Sequence, residues 1–353
     1  MTLRNPYATV DWAGEQVPSL SHEHIQTKSD FDQLYPAYKA FASSSYNPSA
    51  PRYPLTTLSG MTTGNIPADV IALPNAEHYG MTNAAGHYMA IGSTITTGSG
   101  SPASGWGGTL EAFLAAADAL MLYPNAGLFC ANHPNLGGWV GAKKFCALMD
   151  QFPRFRSLEL YNGLADWHYG VSGGFAHDDF HDVLKTGRQV LGLGAPDHFT
   201  ESDPGTRPAK VRGFNRLLLP TGFWALTTAQ KEEACLKAYY DGHFYVAVED
   251  GSPQLEGATA TDAQVQVQWG ASCTTEFYVG RLGSNQLKIA GGSGTSATYT
   301  VTPADIYVYA VGRLSELEVS ITQAFMFKNV ADLPTADFAA RQMGELLLLG
   351  VAQ

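Results

Sequence analysis

The sequence is poor in positive charge: 21 Lys and Arg face 32 Asp and Glu, a formal net charge of −11. That balance excludes a protein that coats nucleic acid, whose affinity rests on a basic surface neutralising phosphates; one local basic pocket is still compatible with it. Cysteine is scarce as well. Cys130, Cys146, Cys235 and Cys273 form no CxxC pair and no closely spaced framework. Their spacing argues against a zinc ribbon or a disulfide scaffold and predicts four reduced, buried thiols. No run approaches the ~18 apolar residues of a membrane span, and the opening MTLRNPYATVDWAGEQ lacks the apolar core of an export signal. The expectation is a soluble protein, cytoplasmic or otherwise without an export signal, with a virion-associated place equally compatible. Internal repeats and long low-complexity tracts are absent too, which argues against a solenoid.

What the chain does have is histidine, unevenly spread. Nine of its ten histidines precede residue 200 and only His243 follows it. The first part therefore carries whatever ligand chemistry there is. That part alternates short apolar β-type runs with helical patterns, the signature of an α/β fold with a largely parallel sheet. The strand candidates lie at 17–24, 69–78, 86–93, 127–134, 157–163 and 189–199, and the helical patterns at 109–122, 142–152 and 178–187. Most of the strand candidates run into His, Glu or Asp. In a parallel barrel those ends share one rim, where active sites are built. After a helix at 227–242 the chain turns Thr-, Val- and Gly-rich with period-two alternation, which predicts a small antiparallel β-sandwich over 250–328. A helical tail is expected at 329–353, so the predicted units are 1–249, 250–328 and 329–353.

His22 and His24 flank Glu23 in SLSHEH. In a strand, side chains i and i+2 share a face about 6–7 Å apart along the chain, so this pair can chelate one ion with Glu23 turned away. Glu77 offers a carboxylate able to bridge two ions, and His87, His133, Asp197 and His198 complete a mixed nitrogen and oxygen set of the kind that suits Zn, Mn or Fe. Two or three divalent ions held so would support metal-assisted hydrolysis.

Taken in order, HEH at the first strand, Glu77 in PNAEH, His87 in a GH pair, NHP, ELYNG and GAPDH resemble the polymerase and histidinol phosphatase (PHP) superfamily of metal-dependent phosphoesterases, over residues 15–205. The resemblance implies a distorted seven-stranded (β/α) barrel with the ions at its C-terminal rim. It also implies that His22, His24 and Asp197 hold one ion, that Glu77 bridges to a second held by His87 and His133, and that His198 serves a third. Two features depart from the family pattern. Asp197 and His198 are adjacent rather than one residue apart, and the usual Thr-Asp-His motif is missing from AFASSSYNPSAPRYPL. Asp30 stands where a further ligand of a third ion often lies, so two ions are the safer expectation.

Around this core, His168 in DWHYG is a candidate general acid toward a leaving oxygen, with Glu77 the other catalytic candidate. Arg52 is a candidate for binding a substrate anion and His78 for touching substrate. His177 and His181, four apart, are expected on a solvated helix face, and the glycine-rich segment 93–108 as a loop or lid at the rim. The leading expectation is a hydrolase in which metal-activated hydroxide attacks a small phosphomonoester or phosphodiester. A carboxylic ester, carbamate or amide hydrolase is the second reading. The third is a non-catalytic binding or virion structural protein that docks a partner or a second copy through the C-terminal sandwich and tail.

Overall fold

The computed structural model describes residues 3–45, 52–96, 105–197 and 212–333. The first two-thirds runs through β1 (Glu15–Glu23), α1 (Lys28–Leu34), β2 (Ala40–Ser43), β3 (Ile71–Ala72), β4 (Glu77–His78), β5 (Tyr88–Ile91) and α2 (Leu110–Ala119). It continues with β6 (Leu128–Ala131), α3 (Gly141–Gln151), β7 (Phe155–Asn162), α4 (Gly163–Tyr169), α5 (His177–Leu184), β8 (Leu191–Ala195), β9 (Phe214–Leu219), α6 (Thr228–Asp241) and β10 (Phe244–Ala247). Six strands follow: β11 (Leu255–Ala260), β12 (Gln264–Arg281), β13 (Leu287–Thr300), β14 (Asp305–Arg313), β15 (Val319–Ile321) and β16 (Phe325–Met326).

These strands form two sheets, giving a mixed α/β architecture. One has the order β4-β5-β6-β7-β8; the other runs β11-β12-β14-β15-β10-β9-β1-β2-β3, with β13 on β12 and β16 on β14. Among the named strands, parallel pairing is confined to β1-β2-β3 and β6-β7-β8. The nine residues between β4 and β5 are too few for a parallel crossover, so that pair is antiparallel. The predicted run at 69–78 divides into β3 and β4, one in each sheet, with Pro74 in the break.

No backbone ladder joins the two sheets among the described residues; side chains stitch their edges instead. At β8, Asn215 accepts from the Gly194 N–H at 3.0 Å and donates to the Gly194 carbonyl at 2.9 Å, while the Ser21 hydroxyl donates to that same carbonyl. At the other edge, the Asn75 amide donates to the Ser21 and Ala42 carbonyls, both at 2.9 Å. Between the sheets lies one apolar cluster, with Val17, Ala40, Ile71, Met89, Leu128, Leu193 and Leu217 drawn from seven strands and Cys235, Leu236 and Tyr239 packed in from α6. α6 is fixed by a capping box between Thr227 and Gln230 and ends on Gly242 at φ 78°, a left-handed cap that glycine adopts without strain.

The C-terminal strands are not a detached sandwich. β15 pairs with both β14 and β10, so a single sheet passes from the appendage into the strands that carry the histidines. All four cysteines are buried and unbridged, as their spacing predicts. No helix among the described residues is long and apolar enough to cross a membrane. Residues 334–353 of the expected helical tail lie outside the described residues.

Candidate metal centre

His22 and His24 sit at the end of β1, where the register against β2 shifts between Leu20 and Glu23. Their Nε2 atoms point at one spot, 3.1 Å apart. The Glu77 Oε2 lies 3.3 Å from the first and 3.1 Å from the second, and the Asp197 Oδ1 lies 3.3 and 3.5 Å from them. A tetrahedral ion with ligands at about 2.0–2.1 Å separates its donor atoms by about 3.3 Å, so these spacings are those of a four-donor cage. The other Glu77 oxygen, Oε1, lies 2.9 Å from His87 Nδ1 and 3.3 Å from His133 Nε2, forming a second group. His22, His24 and Asp197 thus make one donor set, and Glu77, His87 and His133 another. One carboxylate turns an oxygen to each.

The first group is closed, its side chains no more than 4% exposed; in the second, His87 is 30% exposed, so that group opens toward solvent. Local backbone explains how residues at element ends reach inward. His133 follows β6 at φ 28° and Asp197 follows β8 at φ 48°, both in the left-handed region that non-glycine residues seldom occupy. Each is held there. The His133 N–H donates to Glu159 at 2.8 Å, and the Asp197 N–H donates to the His22 carbonyl at 3.0 Å. The strand end is therefore irregular at Asp197, directly after Pro196. Gly163 assists: a Cβ there would lie 2.6 Å from the Arg212 carbonyl oxygen and 2.9 Å from that of Pro196.

Three further residues orient the donors. The Glu159 carboxylate lies 2.6 Å from His22 Nδ1, which fixes the proton on that nitrogen and leaves the Nε2 lone pair facing the cage. The Asn132 amide donates to Glu77 Oε1, and the Asn162 amide donates to Asp197 Oδ2 and to Glu159. Of the Glu77 and Asp197 oxygens, the two that no amide or backbone N–H holds, Oε2 and Oδ1, are those that face His22 and His24. Glu159 and Asn162 belong to ELYNG and Asn132 to NHP, yet as separate residues they carry no ligand signature. The available signal was a carboxylate between two leucines in the middle of a strand.

Electrostatically the centre is built for positive charge. Burial opposes protonation of His22 and His24, but the surrounding Asp197, Glu77 and Glu159 hold His22 well above the usual imidazole range, and Asp197 and Glu77 raise His24. His133 is likewise raised against its burial, to about 9, chiefly by Glu77. Burial would push Glu77 and Asp197 up, yet His22 and its neighbouring imidazoles drag both carboxyls below their usual range. Protons thus occupy places that cations can take.

The remaining candidates fall elsewhere. Asp30 belongs to neither group; it is the third residue of α1, where its Oδ2 accepts from the Gln26 and Thr27 N–H groups at 3.0 Å in a capping box. His198 lies outside the described residues, as do residues 97–104 of the glycine-rich segment. His78, adjacent to Glu77 on a strand, points the opposite way into an apolar wall, 4.8 Å from the Phe113 ring, where burial lowers it to about 4, the setting of a core histidine. Arg52 donates to the nearby Thr57 carbonyl at 2.9 Å. His168 is exposed on α4 and packs on Trp167, ring centroids 4.5 Å apart, with no contact to either donor group described. His177 and His181 do not form a solvated face: their Nδ1 atoms lie 2.8 and 2.5 Å from the hydroxyls of Tyr309 and Tyr307 on β14.

Comparison of the chain with protein-family models, curated proteins and solved structures finds no match.

Proposed function

We propose that the protein is a metal-dependent hydrolase of the PHP type that cleaves small phosphoesters, its strands arranged as the distorted barrel that the motif order implies. The observation that carries this reading is the Glu77 carboxylate, with Oε2 3.1–3.3 Å from His24 and His22 and Oε1 2.9–3.3 Å from His87 and His133. A bridging carboxylate between a closed and an open donor group suits a binuclear site. Two divalent ions would neutralise charge on a substrate oxygen and make water acidic enough to serve as nucleophile near neutral pH.

The chain's own residues prepare that chemistry. Glu159 keeps the His22 proton on Nδ1, so Nε2 is available as a donor. Asn162 holds Asp197 Oδ2 and leaves Oδ1 toward His22 and His24, while Asn132 fixes the Glu77 carboxylate through Oε1, the oxygen that also faces His87 and His133. The exposed edge of His87 marks the side from which substrate reaches the site. Zn, Mn and Fe all suit this donor set.

The test is elemental analysis of protein purified in Mn, Zn or Fe, joined to assays on aryl phosphates, alkyl phosphodiesters and aryl carboxylic esters. About two ions per chain and phosphoester turnover that disappears in Glu77→Gln are expected. Only trace metal, or turnover that survives in metal-free Glu77→Gln, removes the proposal; turnover of aryl esters alone redirects it to acyl chemistry.

A further inference from the structure

A cavity of ≈ 800 Å³ opens where α5 and the loop before it meet the C-terminal strands, and none of the six donor residues lines it. Four separate stretches build its wall. Asn135 follows the His133 turn, residues 171–179 lead into α5, Tyr278 comes from β12, and Arg313 and Glu316 come from the end of β14 and the turn beyond. A volume of this size is that of a small-molecule site.

The wall is braced from behind. Phe175, His177, Tyr278 and Tyr309 stack in succession, with centroid spacings of 5.1, 4.9 and 5.0 Å. The Arg313 guanidinium lies 5.9 Å from the Phe175 ring centroid, and its Nε donates to Glu276, which also pairs with Lys288. The Asn135 amide donates to the Gly173 carbonyl and ties the two loops together.

Its chemistry favours a hydrogen-bond donor of positive charge. Asp178, Asp179 and Glu316 face the cavity against a single cation, Arg313, whose charge Glu276 already meets. Burial, with Asp182 and Asp178 beside it, raises the Asp179 carboxyl to about 6, so negative charge is crowded at that wall. The Asn135 Oδ1 is buried and accepts no hydrogen bond among the described residues. Phe175, Ala176 and Val171 supply an apolar surface for a short carbon stem.

We infer that this cavity binds a small organic cation, an amine or guanidine on a short aliphatic chain, at a site separate from the metal centre. An anion is disfavoured by the three carboxylates, and a neutral alcohol of the same length leaves their repulsion unrelieved. The inference does not depend on the hydrolase reading.

Calorimetric titration of the full chain with pentylamine, butylguanidine and pentan-1-ol tests it. Both cations are expected to bind about tenfold or more tightly than the alcohol. Asp179→Asn and Glu316→Gln should each weaken the cations about threefold or more and leave the alcohol unchanged, while Ser172→Trp, which fills the cavity, should abolish binding of all three. Cation binding should persist in Glu77→Gln. The inference is overturned by absence of cation binding at millimolar concentration, by equal binding of amine and alcohol, by binding that survives Ser172→Trp in a protein with unchanged melting, or by binding lost in Glu77→Gln, which would place the amine at the metal centre.

Discussion

Histidines are buried in two regions of this molecule, and the two use them in opposite ways. At the candidate metal centre, His22, His24 and His133 are surrounded by Glu77, Asp197 and Glu159, and the carboxylates raise all three imidazoles against the effect of burial. At the seam between α5 and β14, His177 is stacked between Phe175 and Tyr278, and burial, with Arg313 and Lys288 nearby, lowers it to about 4. Burial alone makes an imidazole a neutral packing group; burial among carboxylates makes it part of a cation site. The same residue type is therefore a candidate ligand in one place and a hydrogen-bonded aromatic in the other.

The sharpest way to break the comparison is to remove the carboxylate that both donor groups share. Glu77→Gln leaves the volume but takes away the bridging charge, so metal content should fall from about two ions per chain to well under one, and turnover should drop by about a thousandfold or more. Elemental analysis and phosphoester rates measure both, and retention of full metal content would show that the groups do not share Glu77. Glu159→Gln should do less. The Glu159 Oε2 accepts from the His133 N–H and the Asn162 amide and its Oε1 faces His22 Nδ1, so a glutamine that keeps its oxygen on the first two changes the partner of His22; a loss of about 10–100-fold in affinity at the closed group is expected, with a smaller loss at the open group. A competition titration with a chromogenic chelator separates the two steps; equal weakening of both ions would contradict the assignment of Glu159 to His22.

In the proposed metal centre, protons would compete with ions. Because the His133 proton is held up to about 9 in the ion-free protein, an ion binding below that pH must displace it. Affinity at the open group should rise by about tenfold per pH unit between about 6 and 9, with about one proton released per ion. Titration in two buffers of different ionisation enthalpy counts that proton, and a pH-independent affinity would show that His133 is not a ligand.

Much of the candidate metal centre was legible because ligand chemistry leaves marks at fixed spacing. The i, i+2 pair His22 and His24, the carboxylate Glu77 after a short apolar run, and His87, His133 and Asp197 at strand ends are all brought together. Asp30 sits in a capping box, which a carboxylate three residues after Thr27 equally signals, while His198, the other residue expected at a third ion, lies outside the described residues. Glu159, Asn132 and Asn162 went unassigned because an orienting residue needs only one hydrogen bond in the right place, which spacing does not encode. Strand partners were equally hidden. Alternation in residues 250–328 states which side chains share a face, not which strand lies alongside, so the continuation of β15 onto β10 could not be read. His177 and His181 have the spacing of a solvated stripe, and only the two tyrosines on β14, more than a hundred residues away, turn that stripe inward.

The smallest expected effect lies at the seam, and its sign is opposite to that at the candidate metal centre. An unfolded histidine titrates near 6.5, while folded His177 titrates at about 4. Between those values the unfolded chain binds the extra proton, so stability falls as pH drops from about 6.5 toward 4, and above about 6.5 the residue contributes no pH dependence. With partial exposure taken into account the loss is on the order of 1–2 kcal/mol, a few degrees in melting temperature for a chain of this size. His177→Phe keeps the stack but removes the proton site. Its melting temperature should be lower than that of the parent at pH 7, because Tyr309 loses its hydrogen bond to the imidazole, and should fall less than the parent's on going to pH 4.5. Parallel pH profiles for the two proteins would assign the acid sensitivity to other groups and leave His177 a packing residue only.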